Sequence, residues 1–170
     1  MRRIFLIGYM GAGKTTFGRQ LAFNLGLSFI DTDVYIENKY HKTVSSLFAE
    51  KGESKFRILE RKILEEISKF EDVVIATGGG MPCFYDNIDY MNNNGITIFL
   101  QVPDSELAKR LSLAKFNRPL LIDKNYDEIF SYVSSMLTKR LPFYQKAKYT
   151  VDASNNKVVD KMAQICAQMD

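Results

Sequence analysis

The stretch IFLIGYMGAGKTTFGRQLA, residues 4–22, decides the fold of this chain. It starts as an apolar run typical of a buried strand, passes through a glycine-rich bend and continues with a pattern that indicates a helix. The bend fits G-x-x-x-x-G-K-[ST] through Gly8, Gly13, Lys14 and Thr15. Because the backbone N–H groups of such a bend point inward and the helix N-terminus adds positive potential, the stretch predicts a phosphate site.

A glycine turn that only joins a strand to a helix in another α/β fold is the alternative. The strand, the motif and the helix occur together here, which favours the phosphate site. We therefore predict a bound nucleoside triphosphate, held by Gly11, Ala12, Gly13, Lys14, Thr15 and Thr16. Lys14 is expected to reach the outer phosphates, and the Thr15 hydroxyl to take a place on Mg²⁺.

The composition is that of one soluble globular domain: 170 residues, 46% hydrophobic and 25% charged. The net charge of +3 is modest and the basic residues are scattered, so we expect neither nucleic acid nor a membrane as partner. Cys83 and Cys166 lie outside any CxxC or metal-binding spacing, and the chain opens on a strand instead of a signal peptide. These features predict a cytoplasmic protein with free thiols.

Strands and helices alternate along the chain. Strands rich in Ile, Val and Phe are expected at residues 2–8, 27–31, 72–80 with its glycine turn, 95–102 and 148–153. Between them we expect a long, mostly helical region at about 33–70 interrupted near Gly52, a helix opened by Pro82, and an exposed loop at 113–124. This alternation predicts a parallel sheet covered on both faces, with ligands at the carboxyl ends of the strands.

Asp31 and Asp33, at the end of the second expected strand, indicate what kind of molecule accepts the terminal phosphoryl group. No N-K-x-D tetrapeptide occurs, which argues against a GTPase. Two carboxylates one residue apart belong in a polar cleft, so we assign Asp31 to the metal, directly or through a water, and Asp33 to an acceptor hydroxyl as proton acceptor. As an alternative, Asp33 caps the next helix, and the two roles are compatible.

Arg57 and Glu60 stand beside an apolar stripe in the segment SKFRILERKILEEISKF. An exposed pair three residues apart is the ordinary interpretation, and the pattern alone favours it. In the functional interpretation, Glu60 fixes a guanidinium whose fork receives a planar anion.

The segments GYMGAGKTT, FIDTD, FRILE, TGGG, NRPLL and RLPFY occur in that order over most of the chain. Together they resemble shikimate kinase, a family of P-loop kinases related to nucleoside monophosphate kinases. The resemblance implies a three-layer α/β/α fold of the P-loop NTPase type, with a five-stranded parallel sheet in the order 2-3-1-4-5. It also implies transfer of the ATP γ-phosphoryl group to the 3-hydroxyl of shikimate, in aromatic amino acid biosynthesis.

The resemblance further implies roles for individual residues. At the acceptor, Asp33 binds the hydroxyls, and Arg57 and Arg140 bind the carboxylate. Gly79 and Gly80 also bind the acceptor, Gly79 by donating from its backbone. At the nucleotide, Arg118 closes over the phosphates, and Arg110 lies on one side of the adenine with a residue near Ser154 on the other. We expect one domain over residues 1–170, with a substrate-binding region at about 33–60 and a lid at about 112–124. We also expect a monomer.

Each implied role has an alternative. The glycines at 78–80 fit a tight turn with unusual φ as well as close approach of a ligand to the backbone. Arg118 can instead belong to a solvated basic loop, and Arg140, near the end of a helix, can instead make a favourable contact with the helix dipole. For the whole chain, the rivals are a gluconate or nucleoside monophosphate kinase and a regulatory module that holds ATP without turnover.

Overall fold

The fold is built on one parallel sheet of five strands. The computed structural model describes residues 2–114, 121, 123–155 and 157–168. The strands are β1 Arg3–Ile7, β2 Ser28–Asp31, β3 Val73–Ala76, β4 Ile96–Gln101 and β5 Tyr149–Asp152. They lie in the order β2-β3-β1-β4-β5, and every neighbouring pair is parallel. The predicted sheet order is confirmed.

Helices cover both sides of the sheet, as predicted. They are α1 Lys14–Leu25, α2 Thr32–Tyr40, α3 Val44–Ile67, α4 Asn87–Asn94, α5 Asp104–Leu113, α6 Tyr126–Tyr144 and α7 Val158–Ala167, with a short 3₁₀ helix at Met81–Cys83. In the central strand β1, residues 4–7 are fully buried. A strand buried on both faces has to be continuously apolar, which explains the run of the opening sequence.

The region predicted as mostly helical from about 33 to 70 contains two helices, α2 and α3, and the first break lies before the predicted interruption at Gly52. His41 takes a left-handed conformation, with φ of 53°, and ends α2. Thr43 then caps α3, because its hydroxyl accepts a hydrogen bond from the backbone N–H of Ser46. The predicted interruption at Gly52 is confirmed, with φ of 74° and ψ of 165° inside α3.

Pro82 opens a 3₁₀ turn, not the next α-helix. The turn ends at Cys83, and α4 begins only at Asn87. The buried side chain of Asn87 donates to the carbonyl of Met81 at 2.7 Å, which holds the intervening loop against the body of the protein. The prediction of a helix at Pro82 was therefore wrong in kind, although the proline does mark a helical start.

No helix among the described residues is long and apolar enough to cross a membrane. At the start of α6, a capping box between Asn125 and Glu128 fixes the first turn.

Because β1 pairs with β4, we predict that Gly95 cannot be replaced by a residue with a side chain without loss of stability. A Cβ there would collide with the carbonyl oxygen of Arg3 and lie 3.0 Å from the ring of Phe5. We expect Gly95→Ala to lower the free energy of unfolding by about 1–3 kcal/mol, since the neighbouring strand has to shift. Urea denaturation measures this, with Asn93→Ala at an exposed position of α4 as the control; equal stability of the two variants would contradict it.

Candidate active site

Loops that follow β1, β2 and β3 meet at the carboxyl edge of the sheet and enclose a cavity of about 380 Å³. Its lining contains most of the residues predicted to bind nucleotide and metal, together with part of the glycine run: Met10, Gly11, Gly13, Lys14, Thr15, Thr16, Asp31, Asp33, Thr77, Gly78, Gly79, Arg110, Leu111 and Ala114. The sequence prediction that ligands belong at this edge therefore coincides with a real concave surface.

The bend after β1 has the backbone of a phosphate loop. Gly11 and Gly13 have φ of 83° and 93°, in the left-handed region that favours glycine. The position of a Cβ on Gly13 is already taken by the ring of Phe17, at 2.5 Å. Helix α1 has no side-chain cap and no acidic residue in its first turn. Its first N–H groups are therefore oriented for an anion.

Lys14 places its positive charge at the centre of this bend. Its side chain is buried, and Nζ donates to the carbonyl oxygens of Gly8 at 2.7 Å and Tyr9 at 2.8 Å. These bonds hold the ammonium next to the N–H groups of the loop, where the charge attracts phosphate oxygens.

Asp31 connects the phosphate loop to helix α2. Its Oδ2 accepts a hydrogen bond from the hydroxyl of Thr15 at 2.6 Å, and its Oδ1 accepts one from the backbone N–H of Asp33 at 3.0 Å. Asp31 is thus the N-cap of α2. The alternative in which Asp33 caps this helix was wrong, because the helix begins at Thr32.

The Thr15 hydroxyl and the Asp31 carboxylate suit a magnesium ion. Within the described ranges, no group of three or more His, Cys, Asp or Glu side chains is arranged to hold a metal. The site therefore lacks an all-protein cage. Mg²⁺ needs none, because it keeps several waters and takes its remaining ligands from one or two protein oxygens and from substrate phosphates.

The glycine run after β3 lets three side chains come close to the backbone, and its residues have ordinary φ values. None of the glycines at 78–80 has φ in the left-handed region, so the tight-turn alternative was wrong. A Cβ on each would instead meet one predicted site residue: Asp33 Oδ1 at 2.8 Å from Gly78, Arg140 Nη1 at 3.4 Å from Gly79, and Arg57 Nη1 at 2.6 Å from Gly80. The missing side chains make room for three charged ones.

Arg57 and Glu60 form a buried pair, so the exposed-pair interpretation was wrong. Arg57 Nη1 donates to Glu60 Oε2 at 2.6 Å, with side-chain exposures of 11% and 3%. Arg57 Nη2 also reaches Glu53 Oε1, at 3.3 Å. Arg57 Nε is buried and has no hydrogen-bond partner in the described part of the chain. A buried donor without a partner needs an explanation, and a ligand acceptor is one.

Burial raises the pKa of Glu60 to about 7, although the ion pair with Arg57 opposes this shift. The negative charge of Asp33 adds to the rise and the positive charge of Arg140 reduces it. Glu60 is therefore electrostatically coupled to all three side chains that surround the glycine run.

Arg140 approaches this cluster from α6. Its guanidinium carbon lies 5.4 Å from the centre of the Tyr9 ring, and it forms no ion pair with any described acidic residue. The last turn of α6 contains no basic residue, so contact with the helix dipole does not explain its position. Four residues later, buried Tyr144 donates from its hydroxyl to the carbonyl of Gly79 at 2.6 Å.

Arg110 joins the phosphate loop to the end of β5. Its Nη1 donates to the carbonyl of Gly11 at 3.2 Å and its Nη2 to the carbonyl of Ala153 at 3.1 Å. Of the two positions expected near the adenine, Arg110 lines the cavity and contacts the residue next to Ser154, whereas Ser154 itself is not among the lining residues. Arg118 and most of the predicted lid lie outside the described residues.

Sequence reasoning missed two residues that touch this site. Phe84 lies under the guanidinium of Arg57, and Tyr144 binds the glycine run. Tyr144 ends the RLPFY segment, so the motif itself was a signal for it. Phe84 has no signal in the sequence, because its partner is 27 residues away on another element.

Comparisons with known proteins agree on one family. A family model described as shikimate kinase matches residues 10–170. The shikimate kinase of Parabacteroides distasonis is 56% identical over 153 residues, which is 90% of this chain and 88% of the relative. The crystal structure of shikimate kinase from Bacteroides thetaiotaomicron has a TM-score of 0.91 at 48% identity, covering 99% of this chain and 97% of that one. Shikimate kinase from Acinetobacter baumannii, solved in complex with shikimate, has a TM-score of 0.83 at 36% identity, with 99% and 92% covered.

The raised pKa of Glu60 predicts a pH-dependent stability. An acid whose pKa is higher in the folded chain stabilises the fold most below its unfolded pKa, near 4.5, and loses that contribution as the pH rises through about 7. Glu60→Gln does not titrate. From pH 5 to pH 8, the parent should therefore lose about 2–3 kcal/mol of unfolding free energy relative to this variant.

Urea denaturation at both pH values measures the difference. Glu65→Gln, at a half-exposed position of the same helix, is the control and should follow the parent. A parent that gains stability over Glu60→Gln as the pH rises would show that the buried pair with Arg57 outweighs the cost of burial.

Proposed function

Since the chain belongs to the shikimate kinase family, we propose which of its residues carry the reaction of that family, hold the metal and form the lid. The activity is the ATP-dependent phosphorylation of shikimate on its 3-hydroxyl group. Relatives that match nearly the whole chain are shikimate kinases, which decides against gluconate or a nucleoside monophosphate as the acceptor and against a module without turnover.

One observation carries the assignment of the acceptor end: three charged side chains converge on three successive glycines. Asp33 lies against Gly78, Arg140 against Gly79 and Arg57 against Gly80. Shikimate combines hydroxyl groups with one carboxylate. A carboxylate side chain can bind the hydroxyls, and two guanidinium groups can bind the carboxylate. The side chains around the glycine run therefore match both kinds of functional group on the substrate.

The acceptor end and the phosphate loop are adjacent. A Cβ on Gly79 would lie 3.4 Å from both the Gly8 carbonyl oxygen and the Met10 backbone nitrogen. An acceptor seated on the glycine run is therefore within reach of a phosphate held in the bend. Phosphoryl transfer depends on the placement of acceptor and phosphate more than on covalent help from the protein, and the adjacency of the two segments permits such a placement.

We assign Asp33 to the reacting hydroxyl. It stands in the first turn of α2 at the mouth of the cleft, and Asp31 caps that turn. In this position its carboxylate orients the 3-hydroxyl and accepts its proton as the new bond to phosphorus forms. Lys14 and the N–H groups of α1 stabilise the charge that spreads over the phosphoryl oxygens during transfer.

We assign Arg57 and Arg140 to the substrate carboxylate. Arg57 is held by Glu60 through Nη1, while its buried Nε keeps a donor that the described residues do not use. Arg140 has no acidic partner among those residues. Two neighbouring guanidinium groups, one with an unused donor and the other without an acidic partner among the described residues, are suited to one planar anion.

We assign Thr15 and Asp31 to Mg²⁺, with Asp31 acting directly or through a water. An ion held there would supply positive charge that offsets the charge of the phosphates. The Thr15 hydroxyl and the Asp31 carboxylate are already 2.6 Å apart, so both can face one ion without a change of fold.

We further propose that residues 1–170 form one domain, with the acceptor region at about 33–60. A lid at about 112–124 carries Arg118 over the phosphates and excludes water that would compete for the phosphoryl group. Gly11, Ala12, Gly13 and Thr16 bind phosphates through backbone N–H groups, and Arg110 faces the adenine. The protein works as a cytoplasmic monomer.

Asp33→Asn tests the catalytic assignment. The amide keeps the size and hydrogen bonding of the side chain but cannot accept the proton, so kcat should fall by about 10²–10⁴ while ADP binds as before. A coupled ADP-release assay measures kcat, and calorimetry measures ADP affinity. Asp160→Asn, at an exposed position of α7, is the control. Parent-like turnover by Asp33→Asn would remove Asp33 from the chemistry.

Asp31→Asn tests the metal assignment. Asparagine caps helices as well as aspartate, so α2 should persist while the charge near the ion is lost. We expect the affinity for ADP measured with Mg²⁺ to fall by about 10- to 100-fold, and the affinity measured with EDTA to change little. Equal losses under both conditions would assign Asp31 to the nucleotide loop alone.

A further inference from the structure

The guanidinium of Arg57 is packed between Gly80 and an aromatic ring. Its Cζ lies 4.1 Å from the centre of the Phe84 ring, closer than to the rings of Phe56 at 5.7 Å and Phe48 at 5.9 Å. Near Gly80, a Cβ would be 3.0 Å from that Cζ. At 4.1 Å the cation lies over the ring face, where the attraction to the ring is strongest.

From this packing we propose that Phe84 is a positioning residue for the phosphoryl acceptor: its ring face holds the Arg57 guanidinium in the orientation that binds the substrate carboxylate. The inference rests on the proposed role of Arg57. It extends that role to a residue that does not itself need to touch shikimate.

The other contacts of Arg57 do not fix its orientation alone. Glu53, which accepts from Nη2 at 3.3 Å, has a side chain that is 57% exposed. Glu60 is closer and buried, but its pKa of about 7 leaves it partly protonated near neutral pH. The two bonds at the Nη atoms leave both faces of the guanidinium to other contacts. A ring on one face restricts its tilt and carries no titratable group.

The loop that carries Phe84 is itself held in place. Phe84 has extended φ and ψ of −120° and 148°, and the next residue, Tyr85, has φ of 52°. A non-glycine residue in this region costs of order 1–2 kcal/mol, so the surrounding structure has to impose it. Two contacts do so: Asn87 donates to the carbonyl of Met81 at 2.7 Å, and Arg61 donates to Asp86 at 2.7 Å. A ring mounted on such a loop can position another side chain.

The test compares steady-state kinetics of Phe84→Leu, Phe84→Met and Phe84→Tyr with the parent, in both substrates. Leucine and methionine fill space without a π face, so KM for shikimate should rise about 3- to 30-fold, while kcat and KM for MgATP stay within about two-fold. Tyrosine keeps the face and should restore the parent KM. Phe23→Leu, at an exposed position of α1, is the control for loss of a ring elsewhere.

A double-mutant cycle separates action through Arg57 from a direct or structural role. In the Arg57→Ala background, Phe84→Leu should change KM for shikimate no further, because the group it positions is gone. An equal rise in both backgrounds would overturn the inference. So would a fall in kcat with a rise in both KM values, which indicates a disturbed fold, or a Phe84→Leu enzyme with the parent KM.

The cycle also tells a failure of this inference from a failure of the proposed function. If Arg57→Ala raises KM for shikimate and Phe84→Leu does not, Arg57 keeps its assignment and Phe84 loses its role. If Arg57→Ala leaves KM for shikimate unchanged, the assignment of Arg57 to the carboxylate falls, and the inference falls with it.

Discussion

The proposed acceptor end of the site depends on one constraint: three successive residues after β3 have no side chain. The glycines at 78–80 have ordinary backbone angles, so their lack of a Cβ matters for what packs against them. Asp33, Arg57 and Arg140 come from three different helices and converge there. A Cβ at Gly78 or Gly80 would lie 2.8 Å from Asp33 Oδ1 or 2.6 Å from Arg57 Nη1 and would displace that side chain, whereas a Cβ at Gly79 would only touch Arg140, at 3.4 Å. One short segment thus determines how a carboxylate and two guanidinium groups can lie side by side.

The burial of Glu60 changes the charge balance of this cluster. Glu60 loses solvent so completely that its pKa rises to about 7, even beside a guanidinium. The cluster therefore contains two arginines, the exposed carboxylate of Asp33 and a second carboxyl that is partly protonated near neutral pH. A binding site with this balance favours an anionic ligand. The adjoining bend around Lys14, with the N-terminus of α1, favours a second anion at its own end.

Much of the fold and part of the candidate site could be predicted from the sequence, and the reasons differ from one element to another. The strands and the phosphate loop rest on local patterns, so both were correctly placed. The burial of Arg57 and Glu60 was not predicted, because it depends on Gly80 and Phe84, which approach them only through the tertiary fold. The end of α2 at His41 was missed because the break uses a left-handed histidine, without glycine or proline to mark it.

Asp31 joins the two elements to which we assign the two substrates. One oxygen of its carboxylate binds the hydroxyl at the start of α1, and the other caps the helix that carries Asp33. A nucleotide that draws the Thr15 hydroxyl toward itself alters the same carboxylate that sets the first turn of α2. Any coupling through this shared carboxylate would be reciprocal: the free energy that a bound nucleotide contributes to acceptor binding would equal the free energy that the acceptor contributes to nucleotide binding.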